Sequence, residues 1–193
     1  MTYQRAAGSA ATLSLLIFTS CNAGADDLSY DYLEARYSES TIDTDFGDID
    51  GDGLDFNGLF EISDSIHLFA NYGRLEFDDN AEVRTTIVGG GFAFGVSPTT
   101  DIVLRAGFVD GELDDGFSSF NDDGFLISAG VRSLVTPDIE LYGDFRSIDF
   151  EDIGEEDSMT VGVDFYLGDF AIGPNITWVE DTTTWSLGAK FYF

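Results

Sequence analysis

Apolar and polar residues alternate along most of this chain. In Leu54–Ile62, residues Leu54, Phe56, Phe60 and Ile62 share one parity, and Asp55, Asn57 and Glu61 share the other. Ile102, Leu104, Ala106 and Phe108 alternate with Val103, Arg105 and Gly107. Trp185, Leu187, Ala189, Phe191 and Phe193 alternate with Ser186, Gly188, Lys190 and Tyr192. Successive side chains of a strand point to opposite faces, so a period of two is the mark of β-structure. Ten such segments recur, at 28–38, 53–62, 66–76, 83–96, 101–110, 124–134, 138–148, 158–167, 170–179 and 183–193. Each is near the roughly 9–11 residues with which a tilted strand crosses a hydrocarbon layer.

The connections alternate too. Ser63-Asp64-Ser65, Ser97-Pro98-Thr99-Thr100, Thr136-Pro137 and Gly168-Asp169 are short turns, whereas 39–52, 77–82, 111–123, 149–157 and 180–182 are mostly longer and acidic. This arrangement predicts an even number of strands with both termini at the turn end. In lipid every backbone N–H and C=O needs an internal partner, and a sheet supplies them all only when it closes. The predicted fold class is therefore all-β, a transmembrane antiparallel up-and-down β-barrel of about ten strands, with eight as the alternative. A soluble β-sandwich also alternates. Its polar face would meet water and be rich in Lys, Thr and Glu, whereas here that face carries Gly, Tyr and isolated mixed charges, which suit a crowded lumen.

Composition adds the compartment. Met1–Arg5 is weakly basic, Ala6–Ser20 is small and apolar, and Ala23-Gly24-Ala25 fits a small-residue cleavage site before Asp26-Asp27. That order is the order of a secretory signal peptide. The expected organisation is a signal peptide at 1–25 and one barrel domain at 26–193. Cys21 is the only cysteine. Phe18-Thr19-Ser20-Cys21 loosely resembles a lipoprotein cut site, with a poorly fitting Phe at its first position. Loss of Cys21 with the leader would remove disulfides, thiolate metal sites and cysteine nucleophiles from the mature chain. The chain holds 37 acidic and 8 basic residues, for a net charge of −29. A balance this negative excludes nucleic acid, which needs a basic footprint.

The last residues sharpen the compartment. Ser186, Gly188, Phe191 and Phe193 follow the order polar, any, Gly, two more, aromatic, any, aromatic. This resembles the C-terminal β-signal of bacterial outer-membrane barrels. With the leader and the alternation, the mature chain resembles the OmpA/OmpX-like class of small outer-membrane barrels. The resemblance implies recognition of the final strand by the barrel-assembly machinery. It also implies an outer-membrane location with external loops and periplasmic termini. The expected surroundings are outer-membrane lipid and lipopolysaccharide, and the expected state is a monomer.

If the apolar faces meet lipid, then Glu34, Arg36, Glu61, Arg105, Arg132, Glu140, Asp144, Arg146 and Asp164 point inward. Buried charges must pair. These nine residues are expected to form a network that either plugs the lumen or lines a narrow, cation-preferring pore. Residues 39–52, 76–82, 110–123, 149–157 and 180–182 hold 24 of the 37 acids and no Lys or Arg. They read as a solvated surface or as a binder of divalent cations. Asp48, Asp50 and Asp52, followed by Gly53, match the first half of a calcium loop. Leu59 stands at its twelfth position, where a bidentate Glu is needed. The alternatives there are a Ca²⁺ site and a plain acidic turn, and no other cofactor is expected. His67 is the only histidine and falls beside a short turn. Catalysis is not expected. The expected function is a non-enzymatic structural or surface-interaction barrel, with a narrow porin-like channel as the alternative.

Overall fold

A computed structural model describes residues 28–44, 47–77, 81–114 and 116–193. The expected signal peptide and Cys21 lie outside the described residues. Those residues form ten strands: β1 Tyr32–Ile42, β2 Ile49–Ser63, β3 Ile66–Phe77, β4 Glu82–Ser97, β5 Thr100–Asp114, β6 Ser119–Thr136, β7 Ile139–Phe150, β8 Gly154–Leu167, β9 Phe170–Val179 and β10 Thr182–Tyr192. Each strand pairs antiparallel with its sequence neighbour, and β1 pairs with β10 to close the barrel. The closing register runs from Tyr32 opposite Tyr192 to Ile42 opposite Thr182. Ten strands replace the alternative of eight. Closure leaves no edge strand with unpaired backbone groups.

Alternation sorts the two faces. Leu33, Phe56, Phe60, Leu68, Phe108, Ile127, Leu141 and Leu187 are all exposed on the outside. Phe170 and Phe191 pack with tilted rings 5.0 Å apart near the turn end, with Phe193 6.4 Å beyond. Trp178 and Trp185 are exposed toward the loop end. A broad apolar band with aromatic rings at its margins fits a hydrocarbon layer and its interfaces. Inside, Tyr30, Tyr32, Leu59, Ala93 and Val103 make one buried cluster, and Ile87, Val109, Leu126 and Ile148 make another.

The strand ends depart from the sequence reading. Residues 28–31 precede β1 and do not extend it. At the other end the hairpins run on, with β5 reaching Asp114 and β6 starting at Ser119. Above an apolar band both faces of a strand meet water. The period-two signal then vanishes while the hydrogen-bond ladder continues. The segment Asp48–Gly53 shows the consequence. Ile49 opens β2, Asp50 pairs with Thr41, and Asp52 pairs with Glu39. Asp50 and Asp52 therefore lie in an extended strand and not in the turn of a calcium loop. Among the described residues no group of three or more His, Cys, Asp or Glu is arranged to hold a metal.

The turn end is tight. Gly168-Asp169 joins β8 to β9, and Gly168 has φ 69°. Two-residue hairpins favour this left-handed geometry, which glycine adopts at little cost.

Candidate functional site in the barrel lumen

The inward face is built from long polar side chains lying over small ones. Gly91 lies under the His67 ring, Gly162 under Tyr142, and Gly188 under the Glu34 carboxylate. A methyl group at any of these positions would collide with the side chain above it. This is the spatial reason that glycine alternates with charge and tyrosine on the polar parity.

In the turn half long side chains crowd the lumen and leave a cavity of about 130 Å³ between them. Arg132 on β6 grips Glu140 on β7 through two parallel hydrogen bonds, Nε to Oε1 at 2.7 Å and Nη2 to Oε2 at 2.9 Å. Glu140 is fully buried. It also accepts from the Tyr166 hydroxyl at 2.5 Å, and that hydroxyl meets the Tyr192 hydroxyl at 3.2 Å. The Nζ of Lys190 contacts Asp164 at 2.5 Å and lies over the rings of Tyr32 and Tyr142. Paired, hydrogen-bonded charges of this kind are tolerated in a dry interior, whereas single ones are not.

The residues before β1 enter the same mouth. Tyr30 is buried and donates to Asp101 Oδ2 at 2.9 Å. Its ring stacks on His67 at 4.9 Å, with Arg132 lying over it at 4.6 Å. Arg132 Nη1 donates to the Ser29 carbonyl at 3.0 Å. The segment is thus held in the mouth by the charge network above it. His67 Nε2 accepts from Arg105 Nε at 3.3 Å, while Nδ1 is buried with no hydrogen-bond partner among the described residues.

The middle is looser. Arg36 contacts Glu34 at 2.8 Å, Asn57 donates to Glu34 at 3.1 Å, and Asn71 donates to Asn57 at 2.8 Å. Arg105 approaches Asp144 at only 3.6 Å, and Ser128 donates to Asp144 at 3.2 Å. The loop half is open. Hydroxyl pairs line part of its wall, Ser38 with Ser186 at 2.9 Å and Thr160 with Thr177 at 2.8 Å.

Seven of the nine sequence-derived lumen charges thus meet a charged partner: Glu34, Arg36, Arg105, Asp144, Arg132, Glu140 and Asp164. Glu61 and Arg146 form no ion pair among the described residues. The sequence reading omitted Lys190, Asp55, Asp101 and the tyrosines from this set. Parity could have found Lys190, which lies between the inward Gly188 and Tyr192. Of the C-terminal motif, Ser186 and Gly188 face the lumen, and Phe191 and Phe193 face outward. On the outer surface near the loop end, Arg74 bridges Glu76 and Glu82 at 2.7 Å each, and Arg84 joins Glu82 to Glu112.

No protein-family model matches the sequence, and no curated protein matches it. Solved structures do. The KdgM porin aligns with a TM-score of 0.50 at 8% identity, covering 84% of this chain and 99% of that one. The NanC porin aligns with a TM-score of 0.50 at 7% identity, covering 83% and 100%. Neisserial surface protein A aligns with a TM-score of 0.43 at 15% identity, covering 86% and 98%. At these identities the likeness to the two porins is one of fold: this chain has the fold of a small outer-membrane β-barrel.

Proposed function

We propose that this protein is a non-enzymatic outer-membrane barrel with a sealed periplasmic end, working as a structural or surface-interaction element and not as a channel. The observation that carries this reading is the crowded turn half, where the Arg132–Glu140 pair, the Lys190–Asp164 pair and Tyr30 converge and leave only a cavity of about 130 Å³. The leader, Met1–Ala25, exports the chain, and residues 26–193 form the domain that inserts as a monomer. The assembly machinery reads Ser186, Gly188, Phe191 and Phe193. The loop end, with its acidic surface and its bridged Arg74 and Arg84, faces outward and meets lipopolysaccharide.

Refolding Asp26–Phe193 into a planar bilayer tests the seal. Protein whose folding is verified by its gel shift on heating is expected to leave the membrane silent. A stable, reproducible conductance would reverse the reading in favour of a narrow pore. Fractionation of cells making the full chain checks the compartment, and N-terminal sequencing checks processing at Asp26.

A further inference from the structure

Above the seal, the loop half encloses a cavity of about 510 Å³. Small-molecule sites typically span roughly 300–1,000 Å³. Arg36, Asn57, Asn71, Arg146 and Thr160 form its floor, where it meets a smaller cavity of about 130 Å³. Its two walls differ in chemistry. β1 and β8–β10 contribute hydroxyls, among them Ser38, Ser40, Ser158, Thr177 and Thr184. β3, β4, β6 and β7 contribute an apolar wall that includes Leu75, Val83, Phe120, Ile148 and Phe150.

Arg146 distinguishes the floor. Every other basic side chain on the inward face has an acidic partner: Arg36 has Glu34, Arg105 has Asp144, Arg132 has Glu140 and Lys190 has Asp164. Arg146 makes no hydrogen bond or ion pair among the described residues; its charged neighbours are the carboxylates Asp144 and Asp55 and two more guanidinium groups, Arg105 and Arg36. The nearby carboxylates are engaged elsewhere. Asp55 accepts from Ser38 at 2.9 Å, Glu34 accepts from Arg36 and Asn57, and Asp144 accepts from Ser128. A guanidinium withdrawn from bulk water without a counter-ion is unfavourable. Its planar fork of donors suits a carboxylate held by two parallel hydrogen bonds.

We propose that the loop-half cavity is a binding cup for a small amphipathic carboxylate. The carboxylate sits on Arg146, the apolar skeleton lies along Ile148 and Phe150, and polar substituents meet the hydroxyl wall. This rests on the sealed turn half, which makes the cavity a cup and not a passage. Of the other carboxylates around the cup, Glu156 lines the wall toward the loop rim without a hydrogen bond or ion pair among the described residues, and two more are held. Glu112 contacts Arg84, and Asp122 accepts from the backbone N–H groups of Asp152 and Ile153. The acidic rim repels anions at low salt, so affinity is best measured near physiological ionic strength, where screening acts over about 8 Å.

Calorimetric titration of the folded mature chain in detergent, with a protein-free micelle control, tests the cup. Phenylacetate is the probe, and uncharged phenylacetamide is its control. Saturable one-to-one binding of phenylacetate is expected, with phenylacetamide at least tenfold weaker. Arg146→Gln should weaken phenylacetate at least tenfold. Asp64→Asn, in the β2–β3 turn at the opposite end of the barrel, should leave it unchanged. Ser158→Tyr, opposite Arg146 in the β7–β8 register, should block binding while keeping the arginine. Ser158→Tyr also serves if Arg146→Gln does not fold. Absence of saturable binding, equal affinity for the amide, or undiminished binding in a folded Arg146→Gln or Ser158→Tyr variant would each overturn the proposal. Binding retained by a barrel that conducts would leave the site standing and remove the seal, so the two readings fail separately.

Discussion

The two halves of the lumen use similar residue types to opposite ends. In the turn half each basic side chain meets a carboxylate in close geometry, and tyrosines complete the cross-section. In the loop half the inward positions carry short hydroxyls and aliphatic residues, space remains, and Arg146 at the floor stands unpaired. The lesson concerns size and pairing more than charge. Glycines beneath Tyr142, Glu34 and His67 let long side chains lie flat and interlock, whereas a wall of Ser and Thr leaves room above it. A barrel of this strand number is filled or hollow according to which residues occupy one parity.

That comparison can be broken by mutation. The largest effect is expected from Glu140→Ala, which strands Arg132 in the packed half. Loss of one partner of a buried pair costs ~3–5 kcal/mol, read as a lower midpoint in urea unfolding from lipid vesicles. The double variant Arg132→Met with Glu140→Leu should recover most of this loss. If Glu140→Ala unfolds like wild type, the turn half is not held by its charges. Gly162→Leu comes next, because it forces Tyr142 out of its place. Overpacking of this kind costs about 1–3 kcal/mol, and the same unfolding assay reads it. The smallest effect is expected from Arg146→Met, which removes a charge that makes no close ion pair among the described residues. Its stability should stay within about 1 kcal/mol of wild type or rise. A loss as large as that of Glu140→Ala would mean that Arg146 is structural and that the two halves are alike.

Much of this was readable in the sequence, and the gaps have physical causes. The alternation located all ten strands and put Arg132, Glu140 and Asp164 on the inner face, because parity alone decides the face. It did not give the pairings. Lys190 meets Asp164 across β8, β9 and β10, a contact that depends on how neighbouring strands are staggered and not on spacing along the chain. The strand extensions at 39–42, 49–52, 111–114 and 119–123 were invisible because the apolar–polar alternation lapses there. For the same reason Asp48, Asp50 and Asp52 read as a loop when the last two lie in a strand. Residues 28–31 show the converse. Their apolar character resembled the start of a strand, yet Tyr30 turns into the mouth to reach His67 and Asp101, partners 37 and 71 positions away.

Labelling of single cysteines placed in Asp26–Phe193 tests the division of the lumen most directly, since residues 26–193 contain no cysteine. Thr184→Cys lies on the wall of the loop-half cavity, and Ala171→Cys lies at a fully buried inward position of β9. A water-soluble thiol reagent added to the lipid-embedded protein should modify Thr184→Cys readily and leave Ala171→Cys untouched until the barrel is unfolded. Equal rates at the two positions would mean that water traverses the whole lumen, which would contradict a sealed turn half.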